Sequence, residues 1–292
     1  MHQEYKYLNL VEKILKEGKD HKNRTGIKTK RLICEVMKFD LSEEFPLITT
    51  KKMYWKGIVH ELLWFLSGDT SIKYLKDNNV HIWDKNVEDF YQKRILKSIK
   101  KNKNYDNISG FYNDEYDYNY AGLIYGYQWR NFNGQGFDQI QNAINLIKNN
   151  PDSRRIIVSA WNPSQLNDMC LPPCHVLLQF TVDEGILHST LFQRSADEFL
   201  GIPFNIASYS LLTYMVAHVC GLKPGTFNHV MNDAHIYYNH IDAVKEQLLR
   251  VPYPFPNLEL NKDIKNIDDF KYEDIQLINY KSHPTIKADM AV

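Results

Sequence analysis

The sequence has no excess of either charge: 35 Lys and Arg residues stand against 35 Asp and Glu residues. A dedicated binder of nucleic acid or of an anionic membrane needs a basic excess or stripe, so this balance argues against both classes. Cysteine is scarce as well. Four in 292 residues, at Cys34, Cys170, Cys174 and Cys220, are too few and too scattered for a disulfide framework. Only Cys170 and Cys174 stand close together, and no second Cys/His pair follows at zinc-finger spacing, so no structural metal site is expected. Every apolar stretch stops well short of the roughly 18 residues that a membrane span requires. The opening MHQEYKYLNL lacks the basic-then-apolar order of a signal peptide, which makes the cytoplasm the expected location. Also missing are G-x-G-x-x-G, G-x-x-x-x-G-K-[ST], G-x-S-x-G and H-E-x-x-H, and with them the chemistries those patterns serve.

What is present suffices for a core: 43% of residues are hydrophobic and 24% charged. Apolar residues at helical spacing predict amphipathic helices over 5–17, stopped at Gly18, and over 55–66, stopped at Gly68. A third helix fits 138–149, and the most apolar one, 206–220, should lie deep in the core. Strands are predicted over 31–41, after the loop NRTG, and over 154–162. A hairpin runs through 175–182, a turn at Asp183-Glu184-Gly185, and 186–195; late strands fit 258–261 and 275–280. Helices and strands mix without a βαβ alternation, so the expected class is α+β, a single domain over residues 1–292 with one large sheet flanked by helices. Residues 86–121 break the texture. They carry Lys93, Arg94, Lys97, Lys100, Lys101 and Lys103, then an Asn-, Tyr- and Asp-rich stretch, and read as a surface insertion with one short helix and a loop.

Four local signals carry chemistry. In Pro172-Pro173-Cys174-His175, two prolines restrict the backbone and fix the direction of a thiol, which cations nearby would turn into a nucleophile. Arg24, the pair Arg154-Arg155, and Arg194 are the arginines that could converge there. In Gln193-Arg194-Ser195-Ala196-Asp197, a fork of N–H donors beside a hydroxyl suits a phosphate dianion. Arg154 and Arg155 cannot both serve one pocket from a regular strand, so they lie on a loop before the strand or reach toward a partner chain. The amide of Asn205, in Gly201-Ile202-Pro203-Phe204-Asn205, matches the N3–H and O4 edge of uracil, although Asn205 also stands where a helix N-cap belongs. His235 and Tyr237, two apart around Ile236, share one face of a strand and could hold a sugar hydroxyl.

Together these segments resemble the thymidylate synthase family over nearly the whole chain. The matching stretches are NRTG (23–26), FPLITTKK (45–52), HELLWFLSGDT (60–70), IWD (82–84), YGYQWR (125–130), PDSRRIIVSAWNP (151–163), LPPCHVLLQF (171–180), QRSAD (193–197), LGIPFNIASY (200–209), DAHIYYNHID (233–242) and HPTIKADMAV (283–292). The ending and the wording of the core look more like the eukaryotic-type branch than the shortest bacterial forms. A fused dihydrofolate reductase would need a long extra segment for which this sequence has no room.

The resemblance implies reductive methylation of deoxyuridylate (dUMP) to thymidylate (dTMP), with 5,10-methylenetetrahydrofolate as cosubstrate and no metal. Cys174 would add to C6 of the pyrimidine. Arg24, Arg194 and Ser195 would hold the phosphate, joined by Arg154 and Arg155 from the second subunit of a homodimer whose interface is a face of the sheet. Asn205 would read the base, and His235 with Tyr237 the ribose; His175, Gln193, Ala196 and Ile236 complete the implied nucleotide contacts. Glu61 would assist proton transfers and Tyr125 the removal of the C5 proton. Asp197 would bind the pterin, with Ile82, Trp83, Leu200, Gly201 and Phe204 lining the folate slot, and Met290-Ala291-Val292 would close over the ligands. The sequence departs from the family pattern at Lys28, which bears on how the NRTG loop folds over the phosphate, at Tyr120-Ala121-Gly122-Leu123, which bears on the geometry around Tyr125, and at Asn232, where glycine is usual. Two rivals remain: a pyrimidine hydroxymethylase of the same fold, for which Asp in place of Asn205 would signal cytidylate, and an RNA binder using 93–103, which the zero net charge does not support.

Overall fold

The computed structural model describes residues 2–23, 25–101 and 117–289. Its centre is a seven-stranded sheet. The strands are β1 (Lys19–His21), β2 (Thr29–Asp40), β3 (Ile157–Ser159), β4 (His175–Asp183), β5 (Ile186–Gln193), β6 (Ala196–Asp197) and β7 (Lys223–Tyr237). Their spatial order is β1-β2-β7-β5-β4-β3, with β6 paired to β7. β5 and β6 run parallel to β7 and the other pairs are antiparallel, so the sheet is mixed. The late strands β8 (Asn257–Leu260) and β9 (Ile275–Ile278) form a separate two-stranded sheet.

Helices cover one side. α1 (Tyr5–Glu17) buries Tyr7, Leu8, Leu10, Val11 and Ile14, the stripe its spacing predicts. Gly18 follows it with φ −62°, so its role is clearance rather than a left-handed turn: a Cβ there would stand 2.4 Å from the Ile14 carbonyl oxygen. α2 (Trp55–Ser67) does end on a left-handed glycine, Gly68. α3 (Lys73–Asp77) is a single short turn, and α4 (Asp84–Lys101) spans 18 residues, longer than the short helix expected within 86–121. α5 (Tyr125–Arg130) packs against α2, and α6 (Gln139–Asn149) is capped by the Asp138 side chain on the Gln141 N–H. α7 (Gly201–Cys220) is the buried helix, and α8 (Ile241–Leu248) follows β7.

Two boundaries differ from expectation. α7 begins at Gly201, not at residue 206, because Pro203 falls in the first turn, where its missing N–H costs nothing. Asn205 is therefore inside the helix, and the N-cap alternative for it is wrong. The strand expected over 154–162 is only Ile157–Ser159, and Arg154 and Arg155 lie in the turn ahead of it.

The opposite side of the sheet is open. Val36 on β2 lies beside Val230 on β7, which lies beside Phe192 on β5, which lies beside Leu177 on β4. Val36 is 58% exposed and Phe192 38%, an apolar row on a strand face that a lone chain would leave wet.

Candidate active site

The β4–β5 hairpin sets the reacting centre. Cys174 immediately precedes β4, and its carbonyl accepts the Arg194 N–H at 2.9 Å, so the two residues face each other at the open end of the hairpin. The Arg194 side chain then turns back on the proline loop. Nε donates to the Pro173 carbonyl at 2.9 Å and Nη2 to the Pro172 carbonyl at 2.8 Å, while Nη2 stands 3.8 Å from the Cys174 sulfur. One guanidinium thus fixes the loop and places positive charge beside the sulfur, which favours the thiolate form that attacks. Its face also lies over the Trp161 ring, 5.4 Å from the centroid.

Tyr125 holds the main chain of Cys174. Its hydroxyl accepts the Cys174 N–H at 2.8 Å, and its ring stacks on Phe65 at 4.8 Å. Burial, reinforced by Cys174, raises the phenol well above its ordinary value, so it remains protonated and able to donate. Gly122, shortly before it, adopts φ +85°, and a Cβ there would meet the Asp168 carbonyl oxygen at 2.1 Å, so this turn requires glycine.

Glu61 projects from α2 into the same interior. Trp83 Nε1 donates to its Oε1 at 2.7 Å, and burial pushes the carboxyl up to about 7, with the indole bond pulling back. A carboxyl with that value exchanges protons near neutrality, which suits a general acid or base. His175 behaves oppositely: burial pulls its imidazole down to about 4 despite a bond donated to Asn205, and Arg194 adds to the effect. It is neutral at physiological pH.

A buried relay orients Asn205. Gln193 Nε2 donates to the Ser195 carbonyl at 2.9 Å, which fixes that amide's direction. Its Oε1 then receives His229 Nε2 at 2.7 Å, and its Nε2 reaches Asn205 Oδ1 at 3.2 Å. Burial holds His229 down at about 3, so the relay is uncharged. Asn205 Oδ1 is thereby the accepting end and Nδ2 the donating one, the polarity that fits uracil N3–H and O4.

Asp197 ends β6. Its Oδ1 accepts the Phe199 and Leu200 N–H groups at 3.0 and 3.3 Å, which turns the chain into α7. Burial alone would raise its carboxyl, but the His240 contact, the charges of His240 and His235, and the Phe199 N–H outweigh it and hold the group ionised. His235 and Tyr237 share a face as expected, their rings 5.1 Å apart, and His235 Nδ1 is held 3.0 Å from Asp233, which Arg31 also pairs.

Not every expected residue reaches this site with its side chain. Ala196 and Ile236 are fully buried in the hydrophobic core, so they can offer only main-chain atoms. Arg154 and Arg155 are exposed, and the Arg154 carbonyl accepts from Gln179, four residues along β4 from His175, on the order of 13 Å at strand rise. Ile82, Leu200, Gly201 and Phe204 are partly buried and Trp83 is buried. Arg24 and Met290-Ala291-Val292 lie outside the described residues, as does Lys103. Of the basic run, Lys93 and Lys97 are exposed on α4, and Arg94 lies over the Tyr120 ring at 4.7 Å.

Sequence reasoning missed Lys51 and His240. Lys51 is buried, its Nζ donates to the Phe199 carbonyl and lies 3.7 Å from that ring's centroid, and burial lowers it to about 7 against the pull of Asp197. Nothing in TTKK distinguishes a buried lysine from a solvated one. A cleft of about 880 Å³ lies on the outer side of α2, lined by His60, Tyr74, Arg130 and Tyr272 among others, and includes none of the residues above. No group of three His, Cys, Asp or Glu side chains placed to hold a metal occurs among the described residues, and no helix there is long and apolar enough to cross a membrane.

Residues 5–292 match the thymidylate synthase family. The chain belongs to that family. A thymidylate synthase of Mycoplasma mobile is 49% identical over 293 residues, covering 98% of this chain and 99% of that protein. Bifunctional dihydrofolate reductase-thymidylate synthases of Zea mays and Paramecium tetraurelia are each 47% identical over the whole chain, which spans 55% and 62% of their respective lengths. Within the thymidylate synthase family the match is thus to a complete protein in one case and to part of a longer one in the others.

Proposed function

We propose that the chain converts deoxyuridylate to thymidylate, with 5,10-methylenetetrahydrofolate supplying both the one-carbon unit and the hydride and leaving as dihydrofolate. The observation that carries this reading is the Cys174 sulfur, 3.8 Å from the Arg194 guanidinium, with the Cys174 N–H on the Tyr125 hydroxyl. Cys174 adds to C6 of the pyrimidine, which makes C5 the nucleophile toward the one-carbon unit. Asn205 receives N3–H and donates to O4, where charge develops as the sulfur adds. Glu61 moves protons at O4 and at the folate, and the Tyr125 hydroxyl assists removal of the C5 proton. The Nη1 group of Arg194, with Ser195, is available for the phosphate. The ionised Asp197 suits the donor edge of a pterin, N3–H and the 2-amino group. Ile82, Trp83, Leu200, Gly201 and Phe204 line the space beside it.

A second subunit completes the site in this reading. The exposed Val36 and Phe192, in one row with Leu177, support pairing of sheet faces, and the turn carrying Arg154 and Arg155 stands too far along β4 to serve its own Cys174. Incubation with deoxyuridylate and methylenetetrahydrofolate tests the activity. Dihydrofolate absorbance rising with a thymidylate product supports it; a hydroxymethyl product without dihydrofolate, or no product, rejects it.

A further inference from the structure

The C-terminal stretch crosses the protein as a strap with successive anchors. The Tyr280 hydroxyl donates to the Ile48 carbonyl at 2.8 Å, the His283 N–H to Thr49 O at 2.8 Å, and His283 Nε2 meets Val251 O at 2.8 Å. Arg250 Nη1 donates to Pro284 O at 2.6 Å and to Thr50 O at 2.8 Å. The last anchor is different in kind. The Asp289 carbonyl accepts from His240 Nε2 at 2.7 Å and from Asn239 Nδ2 at 3.2 Å. His240 is fully buried, and its other nitrogen, Nδ1, stands 3.7 Å from Asp197 Oδ1, within ion-pair range but beyond a hydrogen bond.

We propose that His240 is a positioning residue for the folate cosubstrate, joining the strap at Asp289 to the Asp197 carboxylate. The inference rests on the reading of Asp197 as the pterin ligand and adds a residue to it. The geometry gives His240 a carbonyl bonded at Nε2 and a carboxylate within ion-pair range of Nδ1. The imidazolium is attracted to both, whereas the neutral ring, with its proton on Nε2, would turn a lone pair toward the carboxylate. The other groups around it are the Phe199 ring at 5.4 Å, the Tyr237 ring at 5.6 Å and the Lys51 ammonium, whose charge opposes protonation. Burial opposes it too, but the Asp197 contact and the Asp289 bond prevail and raise the imidazole above its ordinary value. The charged ring would steady Asp197 Oδ1 beside the Phe199 and Leu200 N–H groups it already accepts, which leaves Oδ2 for the ligand. It also ties the strap to the same carboxylate, so that ligand site and strap are aligned together.

The test uses the full chain and the variants H240Q and N239A. Glutamine keeps a neutral donor but cannot carry charge, and Asn239 is exposed, so N239A folds even where H240Q does not. For H240Q the KM for methylenetetrahydrofolate should rise about tenfold, the loss of one charge-assisted contact, with the dUMP dissociation constant within twofold of the parent. The parent's folate KM should climb as pH rises through the imidazolium's range, and that climb should be absent in H240Q while Lys51 still titrates in both. N239A should raise folate KM about twofold and speed trypsin cleavage after Lys287, with the pH climb retained. An unchanged folate KM in H240Q, or in N239A should H240Q not fold, overturns the proposal, and so does an equal loss of dUMP affinity. A parent chain that yields no dihydrofolate at all would instead reject the proposed function.

Discussion

Replacing Glu61 with glutamine should make the protein more stable and nearly inactive, and the stability gain should depend on pH. Glu61 is buried, and its carboxyl is moved from 4.5 to about 7, chiefly by burial. A carboxyl raised in the fold binds its proton more tightly folded than unfolded. Between pH 4.5 and 7 the unfolded chain therefore binds fewer protons, and stability falls as pH rises. Above pH 7 the loss is complete, about 3 kcal/mol for a displacement of this size, and at pH 5 it is under about 1 kcal/mol. Glutamine has the same shape, keeps an oxygen for the Trp83 N–H and never ionises. Urea unfolding of parent and E61Q at pH 5 and pH 8 should show a stability difference that widens by about 2 to 3 kcal/mol between the two, in favour of E61Q at pH 8. Turnover should fall about 100-fold or more, the usual worth of a general acid or base. A difference that is the same at both pH values would refute the argument that burial leaves this carboxyl protonated near neutrality.

Y125F keeps the ring stack on Phe65 but removes the acceptor of the Cys174 N–H, so it should lose about 1–3 kcal/mol of stability and most turnover, read by denaturation and dihydrofolate absorbance. Parental turnover would contradict the role. N205D should shift preference from deoxyuridylate toward deoxycytidylate, because the carboxylate cannot donate to O4; competition assays with the two nucleotides measure it, and an unchanged ratio counts against base reading. Mixing inactive R155E with inactive C174S and allowing subunits to exchange should restore about a quarter of parental activity, the share of sites made whole in mixed dimers. No recovery would mean that Arg155 does not serve the neighbouring subunit.

Much of this could be read from the sequence, and the failures have physical causes. Helix periodicity located α1, α2 and α6 to within a residue or two because their apolar stripes face one core. The meeting of Cys174 with Arg194 is nearly a matter of counting: Asp183 opposite Ile186 at the turn carries Cys174 to a place opposite Ser195. The bulge between His175 and Leu177 changes that partner to Arg194, and no residue in HVLLQ announces it. α7 starts earlier than its apolar run suggests because Pro203 is accommodated in the first turn, which puts Asn205 inside the helix. β3 came out shorter than its β-branched run suggested because only Ile157–Ser159 pairs with β4. Lys51 and His240 acquire their character from burial beside Asp197, a tertiary property with no local pattern.

The central claim is that one sulfur, Cys174, attacks the pyrimidine. Incubation with 5-fluorodeoxyuridylate and methylenetetrahydrofolate, followed by mass spectrometry of the proteolysed chain, tests it most directly, since fluorine at C5 blocks the step that would release the enzyme. The account predicts a ternary covalent adduct on the peptide containing Cys174, and none in C174S. An adduct on Cys170 or another residue, or none on a chain that turns over deoxyuridylate, would contradict it.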